Sequence, residues 1–546
     1  MCPTAQSDAP APAPVPVTLL SGFLGAGKTT LLKSVLEQTH SNKTDKALKV
    51  AVLVNDMAEV NIDASMVSNT KMLQQEEAKM VELHNGCICC TLRGDLVKAV
   101  SDLAAEGKFD AIVIESTGVS VPMEVAETFM ADVPPEAAKS GDPELKTIIQ
   151  ALRGKSSLNE AAPLDTCVTL VDCAAFGANM ATAAELGEQF EGSADEGDNR
   201  SVGPLLMSQI EFADVIVLSK CDLISNEAAD SVERAVRALN PSAKLIRAVR
   251  GNVPLSSVLR TGLFSMENAP GWLQQLDSKE AHVPETEEYG IDSFVYKART
   301  PFHPLKLMKF LDSHFMVRFP DLVEVKEAPV DEFVAAVKEV QPADGKSAGD
   351  KATAPKEKPK KSKKPKKSHP TEEELARTRK AAKEAELRER ESDAKEKTAR
   401  MRHSFGHILR SKGFVWLAGR DSQVGEWSQA GAVGQFNCGG GWMASLPPQF
   451  WPPPGSEEHG KVMKDFQGPV LQDRRQCIVF IGQTLKQDAI THALDACLLT
   501  VEDLLDKGEH VWKLGVRHLP DPFPPWRPLG PPPQMPNGAE PKVVMH

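Results

Sequence analysis

The segment Gly22-Phe-Leu-Gly25-Ala26-Gly27-Lys28-Thr29, near the start of this 546-residue chain, leaves little freedom in choosing an architecture. Its spacing is G-x-x-x-x-G-K-T. An apolar run, Val17–Leu20, precedes it and a helix-forming segment, Thr30–Gln38, follows. Strand, glycine loop and helix in that order make a phosphate cradle, because the glycines let backbone N–H groups curl round phosphate oxygens at a helix N-terminus. Lys28 adds a point charge for the β- and γ-phosphates, and the Thr29 hydroxyl can ligate Mg²⁺. Gly22, Gly25, Ala26, Gly27, Lys28, Thr29 and Thr30 are the expected phosphate-loop residues. The chain therefore carries a nucleotide-binding domain.

The surrounding pattern agrees with that loop. Val17–Leu20, Val50–Val54, Ala111–Ile114, Thr166–Val171 and Val215–Leu218 are short apolar runs, separated by helical segments such as Thr29–Gln38, Gly94–Glu106 and Glu227–Leu239. Strands buried on both faces of a parallel sheet have this composition, so a doubly wound, mostly parallel α/β domain is expected over 17–265. The stretches Ala137–Asp165 and Glu188–Arg200 are acidic and rich in small residues and are expected as surface loops. A smaller α+β domain is expected in two pieces, 289–341 and 401–515. Its strands are placed at Ile291–Ala298, Gly413–Gly419 and Gln476–Ile481, and its helices at Leu305–Ser313 and Ala489–Leu499. Between the pieces lies a Lys/Glu-rich insertion, 342–400, with the basic run Lys356–Lys367 and a polar stretch, Thr371–Arg400, expected to be solvated. Residues 1–16 and the Pro-rich 516–546 read as tails, the first with no Lys or Arg to make a targeting peptide.

Charge and cysteine content narrow the function. There are 63 Lys+Arg against 75 Asp+Glu, so 63 − 75 gives a net charge of −12, which disfavours nucleic acid as a partner. No stretch approaches the ~18 apolar residues of a membrane-spanning helix, so no membrane role is expected. Ten cysteines are too few for a disulfide scaffold of this length. Three of them, Cys87, Cys89 and Cys90, fall within four positions, which points to metal or redox chemistry in a reducing compartment. Cytoplasm is the expected location, with the nucleus as an alternative through Lys356–Lys367.

Two further motifs bear on the nucleotide. Ser219-Lys220-Cys221-Asp222 follows the last apolar run and approaches the [NT]-K-x-D pattern for guanine. There, Asp222 would accept from N1–H and the exocyclic amine while the Lys220 stem lies along the base. Adenine lacks that donor pair. Ser219 stands where Asn is usual. Glu115-Ser-Thr-Gly118 follows the third run, where Glu115 can hold Mg²⁺ and the Gly118 N–H can meet the γ-phosphate. Asp56 and Glu59, after the second run, are alternative groups for orienting the attacking water or Mg²⁺. In the cluster, Cys87, Cys89 and Cys90 supply two or three thiolates to Zn²⁺ or another soft cation, Cu⁺ or Co²⁺, with Glu59, His84 or a client's group completing the set. Cys-x-Cys-Cys is not one of the common structural-zinc spacings, and an incomplete site suits a metal that is passed on.

In that order GFLGAGKTT, NDMAEVNID, GCICC, ESTG and SKCD resemble the CobW-type GTPases, the zinc-regulated metalloprotein activators or metallochaperones. SFVYKARTPFHPLKLMKFL, SKGFVWLAGR and DRRQCIVFIGQTL are similar to that family's C-terminal domain. The resemblance implies a P-loop GTPase in which metal on Cys87, Cys89, Cys90 and Glu59 is coupled to GTP hydrolysis, with Lys28, Asp56 and Glu115 in the catalytic set. It implies GTP with Mg²⁺, a client metalloprotein and, as an alternative assembly, a homodimer. A metal-sensing or cobalamin-pathway accessory GTPase is the second reading. The family's NEFGE is Asn55-Asp56-Met57-Ala58-Glu59 here, a departure in the switch element. No residue is an obvious arginine finger in cis, with Arg93 a weak candidate, so slow intrinsic turnover is expected. His403 and His407, four apart, would share a helix face as additional metal ligands if one helix ran through both.

Overall fold

A computed structural model describes residues 14–41, 48–55, 79–83, 93–133, 143–182, 184–186, 200–266, 291–319, 372–500, 505–506, 509–510 and 519–526. The first domain is a seven-stranded sheet in which every pairing is parallel. In chain order its elements are β1 (Val17–Gly22), α1 (Lys28–Ser41), β2 (Val50–Asn55), β3 (Lys79–Leu83), α2 (Arg93–Ala105), β4 (Ala111–Glu115) and α3 (Pro122–Met130). Then follow α4 (Pro143–Leu152), α5 (Leu158–Ala161), β5 (Leu164–Asp172), α6 (Phe176–Ala181), α7 (Val202–Glu211), β6 (Val215–Ser219), α8 (Asn226–Leu239) and β7 (Lys244–Arg247).

The strand order is β3-β2-β4-β1-β5-β6-β7. Side chains alternate between faces: Leu19, Leu53 and Ile114 enter one core, and Leu20, Val52 and Val113 the other. Both faces are dry because α1 covers one, while α2 and α3 cover the other. The sequence spanning the order reversal at β1 brings the carboxyl ends of β1, β4 and β5 together, where α/β sheets bind ligands.

The stretch 137–165, expected as a surface loop, instead contains α4 and α5. Leu145, Ile148, Ile149 and Leu152 recur at helical spacing, and Ala151, Leu152 and Leu158 are buried in the core beneath α2. The Ser157 hydroxyl caps α5 by accepting from the Glu160 N–H at 3.3 Å. Most of 188–200 lies outside the described residues.

The second domain is a six-stranded sheet, β8-β13-β10-β11-β12-β9, antiparallel except for its β12–β9 edge. Its parts are β8 (Ile291–Ala298), α9 (Pro304–His314), β9 (Met316–Arg318), α10 (Glu372–Phe405), β10 (His407–Val415), β11 (Gln423–Ala430) and β12 (Val433–Gly441). They are followed by α11 (Glu457–Asp465), α12 (Gly468–Leu471), β13 (Gln476–Gln483) and α13 (Gln487–Asp495). Thus β8 and β9, from before residue 320, complete a sheet whose centre comes from after residue 400. Phe523 in the Pro-rich C-terminal stretch is buried against Phe436, and Arg420 stacks on Trp526 at 4.2 Å.

The two domains share a core. Leu409 and Ala430 are buried in one cluster with Val202, Leu206 and Ile210 of α7, and Ala238 of α8 packs against Cys477, Val479 and Ile481 of β13.

Candidate nucleotide-binding site

The phosphate loop joins β1 to α1 through Gly22, Gly25 and Gly27, with φ of +137°, +73° and +99°. At Gly22 a Cβ would also lie 2.6 Å from the Leu170 carbonyl oxygen, so no other residue fits without moving β5. Ala26 is buried, and its N–H donates to the Phe23 carbonyl at 3.1 Å. Lys28 is 9% exposed; its Nζ donates to the carbonyls of Gly22 at 2.9 Å and Phe23 at 3.3 Å. The ammonium is therefore held over the loop by neutral oxygens, which a phosphate's charged oxygens can displace. Thr30 lies exposed as the third residue of α1.

Thr29 and Glu115 meet although 86 residues apart: Thr29 Oγ1 donates to Glu115 Oε1 at 3.0 Å. Glu115 ends β4 and is 2% exposed. Ser116 N–H donates to the Leu20 carbonyl at 3.0 Å and ties the end of β4 to β1. Gly118 packs so closely on the phosphate loop that a Cβ would lie 2.6 Å from the Leu24 amide nitrogen. Its loop is held from behind by Gln209 of α7, whose Nε2 donates to the carbonyls of Gly118 and Ser120, each at 3.1 Å.

The Ser219-Lys220-Cys221-Asp222 turn leaves the end of β6 beside the same loop. Ser219 Oγ donates to the Ala26 carbonyl at 2.7 Å and also lies 3.2 Å from that of Val171. The hydroxyl thus links this turn to the phosphate loop. Lys220 adopts φ +56°, and its Nζ pairs with Asp172 Oδ2 at 2.7 Å. Asp222 stands exposed on the following 3₁₀ turn, Cys221–Leu223.

Residues 16–247 match the model of the CobW/HypB/UreG nucleotide-binding domain, and residues 386–498 that of the cobalamin synthesis protein cobW C-terminal domain. Over 508 residues the chain is 34% identical to the zinc-regulated GTPase metalloprotein activator 1 of Dictyostelium discoideum, covering 91% of this chain and 82% of that protein. The chain belongs to the CobW family of P-loop GTPases.

Among other relatives, the zinc chaperone CobW of Pseudomonas aeruginosa is 29% identical over 250 residues, 44% of this chain and 59% of that one. The zinc chaperone YjiA of Escherichia coli K12 is 29% identical over 256 residues, 46% of this chain and 63% of that one. Each match spans less than two thirds of the bacterial protein.

In this CobW-family chain the structure brings Lys28, Thr29, Glu115, Gly118, Ser219, Lys220 and Asp222 around one end of the parallel sheet. Asp56, Glu59, His84, Cys87, Cys89 and Cys90 lie outside the described residues, as does the Arg93 side chain. The cysteine run follows β3, a strand absent from the apolar runs of the sequence. His403 and His407 do not share a helix face: α10 ends at Phe405, Gly406 turns the chain at φ +84°, and His407 opens β10. Burial, then the Arg402 charge, pushes the His407 imidazole pKa down. The sequence reading missed Gln209 and Asp172. Gln209 was marked by its polarity within the apolar stretch Val202–Ile210, and Asp172 by its place as the carboxylate closing an apolar run.

Proposed function

We propose that the chain is a GTP-hydrolysing zinc metallochaperone, which couples its nucleotide state to transfer of Zn²⁺ to a client metalloprotein. The observation that carries the nucleotide half is the convergence of Thr29 and Glu115, 3.0 Å apart, beside a lysine poised over the phosphate loop. A hydroxyl and a buried carboxylate are hard oxygen donors, which fit Mg²⁺, and Thr29 and Glu115 are the residues that would hold it. Bound with GTP, Mg²⁺ neutralises charge on the β- and γ-phosphate oxygens. Lys28 exchanges its two carbonyl partners for phosphate oxygens. The Gly118 loop, fixed by Gln209 and packed on the phosphate loop, offers its N–H to the γ-phosphate in this reading. Asp222 accepts from the guanine edge, and Lys220, pinned by Asp172, presents its methylene stem to the ring.

The cargo half rests on Cys87, Cys89 and Cys90 in the sequence, with Glu59 as a further ligand, and on the names borne by the relatives. Zinc is the substrate of this reading, and Asp56 is its candidate for orienting the attacking water. Three clustered thiols support a reducing compartment, read as the cytoplasm with the nucleus as the alternative through Lys356–Lys367.

The test is GTP hydrolysis by the full chain with and without one equivalent of Zn²⁺, alongside the Cys87/Cys89/Cys90→Ser variant. A zinc-dependent change in rate that the variant lacks is the expected result. Hydrolysis indifferent to Zn²⁺ in both proteins would overturn the coupling.

A further inference from the structure

Two thiols sit at the base-recognition turn and belong to neither the phosphate loop nor the Cys87–Cys90 run. β5 ends at Asp172 and β6 at Ser219, which face each other across the parallel sheet. Just beyond those ends the Sγ atoms of Cys173 and Cys221 lie 3.6 Å apart. Cys173 is 4% exposed, whereas Cys221 is half-buried, so solvent reaches the pair from the Cys221 side. The two segments are already fastened together. Cys173 N–H donates to the Ser219 carbonyl at 3.1 Å, and Lys220 Nζ pairs with Asp172 at 2.7 Å. The Cys221 thiol in turn donates to the Leu218 carbonyl at 3.2 Å, which holds the turn against its own strand.

We propose that Cys173 and Cys221 form a reversible disulfide when the protein meets hydrogen peroxide, and that this bond weakens guanine-nucleotide binding. The reason is position. Cys221 lies between Lys220 and Asp222, the two residues that address the base. A disulfide S–S bond is ~2.05 Å, so the sulfurs must approach by roughly 1.5 Å from their present contact. That movement takes the Cys221 sulfur from the Leu218 carbonyl and pulls the Cys221–Leu223 turn toward the end of β5. Ser219 cannot follow freely, because its hydroxyl is bound to Ala26 of the phosphate loop. Asp222 therefore shifts relative to the phosphates, and base and phosphate contacts can no longer be made together.

The chemistry balances in two steps. Cys221 gives up its proton and its sulfur attacks one peroxide oxygen: an S–O bond forms, the O–O bond breaks, and the departing hydroxide takes up that proton as the first water, so sulfur is oxidised by two electrons and peroxide reduced. Cys173 sulfur then attacks the Cys221 sulfenic sulfur. The S–S bond forms, the S–O bond breaks, and the departing hydroxide takes the Cys173 proton as water. Two thiols and one peroxide give one disulfide and two waters. The order of the thiols follows from their settings: burial, then the neighbouring Cys221 and Asp172, push the Cys173 thiol pKa up, so it stays protonated until the second step.

The experiment uses the reduced full chain treated with hydrogen peroxide, with peptide mapping for the cross-link and fluorescence titration of a labelled GDP for the dissociation constant. The expected result is a Cys173–Cys221 linked peptide and a rise in Kd of at least about tenfold, reversed by dithiothreitol. Cys173→Ser should keep the reduced protein's Kd within about twofold and lose the peroxide response; Cys173→Ala provides the same comparison if the serine variant folds poorly. An equal rise in Kd in the Cys173 variants would assign the effect to other thiols and overturn the proposal. So would a linked peptide with unchanged Kd, or no linked peptide at all. Nucleotide binding without zinc is the readout, so failure of the metallochaperone reading would leave the result interpretable.

Discussion

Ser219 makes with one hydroxyl the connection between base turn and phosphate loop, and its worth can be measured. Ser219→Ala removes the donor to the Ala26 carbonyl within a buried site, a loss of about 1–2 kcal/mol. GTP affinity should fall by roughly 5–30-fold, read by titration calorimetry. Asp222→Asn tests the base contact itself: the preference for GTP over ATP should shrink by about 10–100-fold, and unchanged discrimination would move the base site elsewhere. A third residue acts on stability. Asp214 is pushed up to about 6, mainly by burial, although it accepts from the Cys167 N–H at 2.7 Å. Because its folded pKa lies above the unfolded one, the native state binds the proton more readily. Its stabilising effect is thus greatest below pH 4 and is lost as pH rises through 6. Asp214→Asn should raise stability at pH 7 by about 1–3 kcal/mol, with the difference from the wild type vanishing near pH 4 in urea titrations. Lys28 and Thr29 were legible as candidates from the spacing of the phosphate loop, and Glu115 from its place at the end of an apolar run; the structure brings Thr29 and Glu115 together. Asp172 was not, because its partner Lys220 is 48 positions away and only the β5–β6 pairing brings them together.

α7 is the element that stands behind the site. One face packs against the sheet, and Gln209 reaches from it to the carbonyls of Gly118 and Ser120. Gln209→Leu keeps the apolar packing but leaves two carbonyls without that donor. Hydrolysis should slow by about tenfold or more while GDP affinity changes little if, as proposed, the Gly118 N–H meets the γ-phosphate that GDP lacks; single-turnover kinetics with GDP titration separate the two. Most central elements of the first sheet were readable from apolar runs. The edge strands β3 and β7 were not: Lys-Met-Val-Glu-Leu and Lys-Leu-Ile-Arg each carry two charged residues, common on edges, and so break the run that marks a strand buried on both faces. In the second sheet β11 and β12 are rich in Gly and Gln, and their strand character comes from pairing with β10 and each other. The stretch Thr371–Arg400, expected to be solvated, forms most of α10. Residues 381–386 are exposed, but Ala394 is buried, a contact that the mean polarity of the stretch conceals. The helix runs on through Met401 and Phe405, both buried, in the segment assigned to the second domain.

At the scale of the whole molecule, the same α7 that holds the Gly118 loop also holds the second domain. Glu211, two residues after Gln209, receives both Arg410 Nε at 2.6 Å and its NH2 group at 3.2 Å; Arg410 is 5% exposed. Arg410 also donates to Ser428 Oγ at 2.8 Å and to the Gln429 carbonyl at 3.1 Å, so it clamps α7 to β10 and β11 together. Glu185 adds a second link, pairing with Arg318 of β9 and with Arg390 of α10 at 3.2 Å. A buried pair adds little net stability over an apolar one, but breaking it on one side strands the other charge. Arg410→Ala should therefore cost about 3–5 kcal/mol, whereas Arg410→Met combined with Glu211→Leu should cost far less. The two domains share apolar core as well as this pair, so the wild type should unfold in one transition. In Arg410→Ala the weakened junction should split the calorimetric profile into two. If the profile stays single and the midpoint barely moves, the apolar contacts of Leu409, Ala430 and Ala238 hold the domains alone, and Glu211 is not the point at which α7 grips its neighbour.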